Sequence, residues 1–453
     1  MNMPKRAGWA TCDARCGLVV RAVVVAALLG TVPVLPAQDA TPTTTPAGSG
    51  SYVIRGATIV PVSGPRIPNG TVVIANGTIA AVGANVPAPA GATVIDGSGL
   101  FVYPGMIDSG TQLGLTEIGS VPGPTDLQEI GDFNPQNEAL TAVNSHSELI
   151  PVARANGITT AITGPQGGLI SGQVALIDLA GWTPDEMAAS PRAAMVMNYP
   201  RSRGGGRRFG PQQSESEQRE AMNRQVQALY GFLRDARTYA EVTGRTDGTS
   251  ANGARTNLVM QSMIPVMRGE QLVVFDVDTE DQIRGVLALA DTFALKVVLR
   301  GASEAWQVAD ELARRQVPVI VGPLTRAPAP DAPYDAIYAN PGVLARAGVK
   351  IAFQTDNASD SRNLPYNAAL ATAYGLDPEA ALRALTINPA EIWGVSDRYG
   401  SIQPGKVANV IVTTGDPLDV RSTVKHLFIR GELVPFTDRH TELYERFMSR
   451  PKP

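Results

Sequence analysis

The stretch "YPGMIDSGTQLGL", Tyr103 to Leu115, reads as the end of a buried strand that delivers polar side chains into a site. Downstream of it, apolar runs alternate with amphipathic stretches. The runs "LFVYPGMID", "GITTAIT", "AAMVMNY", "QLVVFDVD", "LKVVLR", "VPVIVG" and "VKIAFQTD" have the character of strands. Helical periodicity lies between them, in "NEALTAVNSHSELIPVARANG", "EDQIRGVLALADTFA" and "SEAWQVADELARRQ". Continuous apolar strands alternating with helices describe a parallel sheet covered on both faces. Seven visible strands and one unidentified predict an α/β chain with a (β/α)8 TIM barrel over residues 101–400 rather than an open sheet. In such a barrel, function sits at the C-terminal strand ends.

Both flanks of the barrel are β-rich. "YVIRGATIVPVS" and "GTVVIANGTIAAVG" fall in residues 51–100, with Asn76-Gly77 as a hairpin signal. So few strands do not close on themselves. Partners occur at the other end, in "VANVIVTTGDP" and "VKHLFIRGELV" within residues 401–437, so the two chain ends are predicted to build one composite β-sandwich. Residues 438–453 form a tail.

The first 37 residues have the layout of a secretory signal: basic Lys5, Arg6, Arg15 and Arg21, then the apolar run Ala22 to Ala37, interrupted by Pro33 and Pro36. Residues 38–50, rich in Thr, Pro and Gly, read as a flexible linker. The expected mature chain is exported, to a periplasmic or extracellular location. Both cysteines, Cys12 and Cys16, lie in this leader, so the mature chain has no thiolate nucleophile, zinc-thiolate site or disulfide. The full chain carries a net charge of −4, and loss of the leader, with four positive groups and Asp13, leaves −7. That balance offers no basic surface for nucleic acid and none for an anionic membrane once the leader is removed. A hydrophobic content of 44% with 18% charged residues excludes extensive disorder.

Two loops draw the eye. Tyr199 to Gln218, "YPRSRGGGRRFGPQQSESEQ", is either a solvated βα loop or a basic patch for an anionic substrate or partner, and its composition favours the loop. "GPQGGLISGQ", Gly164 to Gln173, lacks the Gly-Lys-Ser/Thr ending of a phosphate cradle and reads as a tight turn leading into a hairpin.

Four features, taken in order and spacing, resemble the amidohydrolase superfamily, and within it the bacterial imidazolonepropionase-like members. They are the opening "YVIRGATIVPVSGPRIPNGTVVIANGTIAAVG", the "YPGMID" junction, "TDN" at Thr355 to Asn357, and the ending "GLDPEAALRALTINPAEIWGVSDRYGSIQPGK". The resemblance implies a β-sandwich plus a metal-dependent barrel that hydrolyses amides, often cyclic ones. Imidazoles and carboxylates bind such metals at about 2.0–2.2 Å and leave a position for water.

Carried over position by position, the family pattern meets different residues here. The His-x-His pair after the first barrel strand falls on Gly110 and Gln112. A later histidine run reads "FDVDTED", with Asp276 and Asp278, and the next histidine position is Gly301. The strand-8 aspartate is retained as Asp356. His146, His426 and His440 fall outside the strand ends, and Lys296 and Lys350 begin their strands. Two readings of the altered site follow. In one, Asp276, Asp278 and Asp356, with Asp360 and Glu304, gather a hard cation through oxygen ligands. In the other, which is preferred, Arg300 pairs with Asp276 or Asp356 and replaces metal charge with protein charge.

The expected function is therefore that of a non-catalytic homologue with a degenerate metal site. It would bind a small molecule through Gln112, Asp276, Asp278, Arg300 and Glu304, or support an active amidohydrolase relative, with no metal or other cofactor expected. The alternative is a hydrolase of non-peptide, cyclic amide-like C–N bonds, with Asp356 as the catalytic general base and Asp276 or Asp278 as an atypical ligand or acid. Asp356 as a brace for the loop "TDNASDSRN" is a third role for that residue. Assembly as a homo-oligomer, or with an active relative, is implied by the resemblance alone.

Overall fold

The computed structural model describes residues 50–201, 214–245, 257–328, 332–435 and 437–451. The expected leader 1–37, linker residues 38–49 and arginine-glycine residues 202–213 lie outside the described residues. Among the described residues no helix is long and apolar enough to cross a membrane.

Eight strands form the barrel sheet: β1 (Met106–Thr111), β2 (Ile158–Thr163), β3 (Ile170–Asp178), β4 (Ala188–Asn198), β5 (Leu272–Val277), β6 (Val297–Gly301), β7 (Val319–Val321) and β8 (Ile351–Phe353). They are hydrogen-bonded in chain order from β1 to β8. The backbone N–H groups of Thr355 and Asp356 both donate to Gly110 O, at 3.2 and 2.8 Å, and draw the last strand back to the first. The strands read as unbroken apolar runs because both their faces are covered.

The eighth strand, unidentified in the sequence, is β3. It runs antiparallel to both β2 and β4, as the return arm of a hairpin rather than the strand of a βα unit. Gly167 and Gly168 take φ of +86° and +63° in the turn that precedes it, a conformation that favours glycine. All nine residues of β3 are buried.

Inside the barrel, Ile107, Ile162, Val174, Val196, Val274, Val298, Ile320 and Ala352 contribute one side chain from each strand to a single apolar cluster. Trp393, Val395 and Tyr399 join it. Because side chains alternate along a strand, the next inward positions toward the C-terminal ends are Asn198, Asp276, Arg300, Gly322 and Gln354. The interior therefore changes from apolar to polar in one layer. Gly105, in the "YPGMID" junction, is required by packing, since a Cβ there would overlap the Thr159 side chain.

The second sheet joins both chain ends. Its strands run in the order 432–433, 424–429, 410–413, 101–104, 52–59, 67–75 and 78–83, with 93–96 also pairing to 52–59. Asn76 and Gly77, both at positive φ, make the tight turn between two of them. Ile54, Ile59, Val72, Ile74, Val410 and Phe428 form its core, so residues from both ends bury one another. This is the composite β-sandwich beside the (β/α)8 barrel.

The helices follow the predicted pattern unevenly. Glu280–Phe293 is an amphipathic helix opened by a capping box between Thr279 and Gln282. "NEALTAVNSHSELIPVARANG", by contrast, is not one helix. It holds a 3-10 turn (Ala139–Ala142), a loop and the short helix Leu149–Ala155. Asn144 and Ser147 side chains accept from nearby backbone N–H groups and hold the loop in place of helical bonds. His146 is exposed in that loop.

Candidate functional site

The polar layer opens into a cavity of about 280 Å³ at the C-terminal strand ends. Its wall includes Asn198 from β4, Asp276 from β5, Arg300 from β6 and, just beyond β8, Gln354 and Asp356. Asp278 and Arg326 come from the loops after β5 and β7, Arg201 follows β4, and Gln128 and Gln166 reach in from the loops after β1 and β2.

Parallel register places Asp276 directly beside Arg300 on neighbouring strands. The guanidinium meets the carboxylate as a fork, Nε to Oδ1 at 2.5 Å and Nη2 to Oδ2 at 2.7 Å. Side-chain exposure is only 8% for Arg300 and 21% for Asp276, so this pair is largely withdrawn from water. Burial is the largest single influence and disfavours the Arg300 charge, but Asp276, with Asp356 beyond it, together outweigh burial and raise the guanidinium above its ordinary range. Of the two partners the sequence offered Arg300, the structure joins it to Asp276.

Gly110 explains how a large arginine fits. A Cβ at this position would run into Gln354 Oε1 and lie 3.4 Å from Arg300 Cδ. The space a side chain would need is thus taken by Gln354 and Arg300. Gln354 is 3% exposed, and its Nε2 donates to Gly322 O at 2.8 Å. Among the described residues its Oε1 accepts no hydrogen bond.

Asp278 receives two guanidiniums, Arg326 at 2.8 Å and Arg201 at 3.4 Å. Asp356 sits at the mouth in the left-handed region, φ +59°, and solvent reaches it. Protein nevertheless crowds its carboxylate. That desolvation raises it above the usual carboxylate range, against the opposing pull of Arg300. Its backbone N–H donates to Gly110 O, while among the described residues its side chain makes no hydrogen bond to the loop it was expected to brace.

Beneath the site lies Asp108, fully buried. It accepts from Gly110 N (3.1 Å), Thr355 N (3.2 Å) and the Thr355 hydroxyl. Burial pushes its carboxyl up to about 7 in spite of those bonds.

Two expected binding residues are not part of the cavity wall. Gln112 follows the end of β1, and its carbonyl closes a turn by accepting from Leu115 and Thr116 N–H groups at 2.9 and 3.2 Å. Glu304 is turned to the backbone N–H of Glu280 at 2.9 Å, where a carboxylate suits the start of the helix Glu280–Phe293. Asp360 is exposed and bonded to Asn363. Sequence reasoning missed Gln354, Asn198, Arg326 and Asp108. Strand alternation marks the first two, two residues beyond inward Ala352 and Val196; Arg326 and Gln128 sit on loops with no such signal.

The donor set departs from what a divalent cation needs. Asp276 spends both oxygens on Arg300, and a guanidinium in the same layer repels a cation. Among the described residues no group of three or more His, Cys, Asp or Glu side chains is placed to hold a metal ion. His426 lies in the β-sandwich strand 424–429, and His440 is exposed beside Arg362.

Comparison with known proteins agrees with this architecture. The sequence profile described as the Amidohydrolase family matches residues 336–434. Adenine deaminase 1 of Bradyrhizobium sp. (strain ORS 278) is 39% identical over 88 residues, 17% of this chain and 14% of that protein. Imidazolonepropionase of Flavobacterium psychrophilum is 34% identical over 101 residues, 19% of this chain and 24% of that protein. The chain thus spans less than a quarter of the length of these two curated relatives. Among solved structures, an amidohydrolase from Thermotoga maritima MSB8 shares the fold with a TM-score of 0.75 and 24% identity, over 84% of this chain and 99% of that one. An adenosine deaminase from Xanthomonas campestris, solved with bound zinc, aligns with a TM-score of 0.51 and 17% identity over 88% of this chain and 97% of its own. Residues 336–434 thus match the Amidohydrolase family profile, and the chain shares the fold of a solved amidohydrolase.

Proposed function

We propose that this is an exported small-molecule-binding member of the amidohydrolase family, whose site works without a metal-activated water. The observation that carries this reading is the Arg300–Asp276 fork, seated in the layer where the family resemblance puts ligands. A guanidinium already neutralises the inward carboxylate of β5, and Gly110 and Gly301 contribute no side-chain donor atoms. Lowering the pKa of water from 15.7 toward about 7 is what a metal supplies in such chemistry, and an isolated carboxylate does not replace it. Arg201, Arg326 and several amides remain to orient a ligand, as in binding pockets with a few convergent polar groups.

A second reading is favoured by one feature: among the described residues the Asp356 side chain has no hydrogen-bond partner, and crowding raises its carboxyl above the usual value. A carboxylate moved toward neutrality suits a general base, here for hydrolysis of a cyclic amide-like C–N bond. Metal content of the purified chain, assayed together with amidase activity on cyclic amides, separates the two. Stoichiometric zinc, lost together with turnover in Asp356→Ala, overturns the binding-protein reading. Ligand-induced stabilisation without turnover and without metal supports it. Export is tested by the N-terminus of the protein recovered from its native host, expected at or near Gln38.

A further inference from the structure

We propose that the barrel-mouth pocket takes a small zwitterion of the amino-acid class, its ammonium held by the Asp356 carboxylate, and its carboxylate by Arg326 and Arg201. This rests on the reading of the pocket as a ligand site and narrows what the ligand must be.

The ammonium end follows from Asp356, which faces the cavity. Among the described residues no side chain is hydrogen-bonded to its carboxylate. Arg300 attracts it at a distance but directs Nε and Nη2 to Asp276. Gln354 Oε1 is closed to solvent and lies against Gly110, so it does not meet the ligand. An ammonium brings three donors, and the carboxylate accepts from them.

The carboxylate end follows from charge. Arg300 and Asp276 cancel as a pair. Arg201 and Arg326 share one carboxylate, Asp278, at 3.4 and 2.8 Å, which leaves one positive charge uncompensated. Asp356 carries the matching negative charge. Among the described lining residues the cavity is neutral but divided, positive around Asp278 and negative at Asp356, and a zwitterion completes both halves. A volume of about 280 Å³ sets the scale at a single amino acid or a molecule of similar size. A divalent ion is a poorer fit, because Ca²⁺ takes about 6–8 oxygen ligands and Mg²⁺ about six.

The test uses the full chain and the twenty free L-amino acids, each beside its N-acetyl and its amide form, with thermal stabilisation followed by calorimetry. At least one free amino acid is expected to stabilise the protein saturably at millimolar concentration. Capping either charge should weaken binding about tenfold or more, the scale of one charge-assisted hydrogen bond. Asp356→Asn should reproduce the loss seen with N-acetylation and leave the N-acetyl form unaffected; Arg326→Gln should do the same for the amide. Each variant is read against its own unliganded state, so altered stability does not obscure the comparison. Equal binding of capped and free forms, an equal shift from potassium chloride, or no shift with any amino acid overturns the proposal. The two readings fail separately. Cleavage of an N-acetyl amino acid, with the free acid still bound best, overturns the non-catalytic reading and supports this ligand class.

Discussion

Asp108 on the first barrel strand and Thr355 beyond the eighth are joined twice, by the Thr355 N–H at 3.2 Å and by its hydroxyl, in a setting closed to water. The bond pins the strands that close the barrel directly under the candidate site. Burial raises the Asp108 carboxyl from 3.8 to about 7 in the folded protein. Between those values the native state keeps a proton that the unfolded chain has lost. The contribution is therefore full below pH 3.8 and lost as pH rises through about 7, with a slope of at most about 1.4 kcal/mol per pH unit. Denaturation of the wild-type protein and Asp108→Asn across this interval checks it. The difference in stability should shift toward the variant as pH rises, and parallel curves would sink the assignment.

Gly110→Ala tests whether this position is occupied by its neighbours. The added Cβ must displace Gln354, whose amide is held by Gly322 O, and it also approaches Arg300. Overpacking of this kind costs about 1–3 kcal/mol. A loss of that size in chemical denaturation, together with weakened ligand binding, is expected. A neutral substitution would show that the layer is loosely packed.

The contrast between legible and hidden features has physical causes. Strands covered on both faces leave unbroken apolar runs, so seven barrel strands stood out. β3 did not, because "ISGQVALID" follows a hairpin turn, not a helix, and carries Gly172 and Gln173 among its apolar residues. The Arg300 and Asp276 neighbourhood was readable because both end adjacent parallel strands, where register brings equivalent positions together. Gln112 and Glu304 were misplaced because each lies just past a strand, where a turn or a helix start sets the direction of the side chain. Arg326 and Gln128 come from loops, whose course no periodicity encodes.

A second buried carboxylate, Asp178, ties the sandwich to the barrel. It accepts from Asn409 Nδ2 at 2.7 Å, Tyr399 Oη at 3.0 Å and Thr160 Oγ1 at 3.2 Å. Burial raises its pKa, and these donors oppose the rise. Tyr399→Phe removes one donor from a carboxyl group that water cannot reach, at a cost of about 1–3 kcal/mol for a buried acceptor left short of a partner. Urea denaturation should show this loss with ligand binding unchanged, since the network lies at the opposite end of the barrel interior. A change of less than half a unit on the same scale, roughly the noise of surface substitutions, would mean that another group satisfies Asp178.

The Arg300–Asp276 fork makes the sharpest energetic prediction, because removing one partner and removing both have different consequences. Arg300→Met leaves Asp276 in a layer from which water is largely withdrawn, with no counter-charge. A fully buried pair loses about 3–5 kcal/mol in this way. Asp276 retains 21% exposure, so roughly 2–3 kcal/mol is the expected loss after that discount. The double substitution Arg300→Met/Asp276→Leu removes the stranded charge and should recover most of the deficit. Arg300→Lys keeps the charge but not the two-pronged geometry, and should fall between wild type and Arg300→Met. A double-mutant cycle by chemical denaturation measures the coupling directly. Additive single and double effects would mean that the fork contributes little, and the case for protein charge standing in for a metal at this site would fail with it.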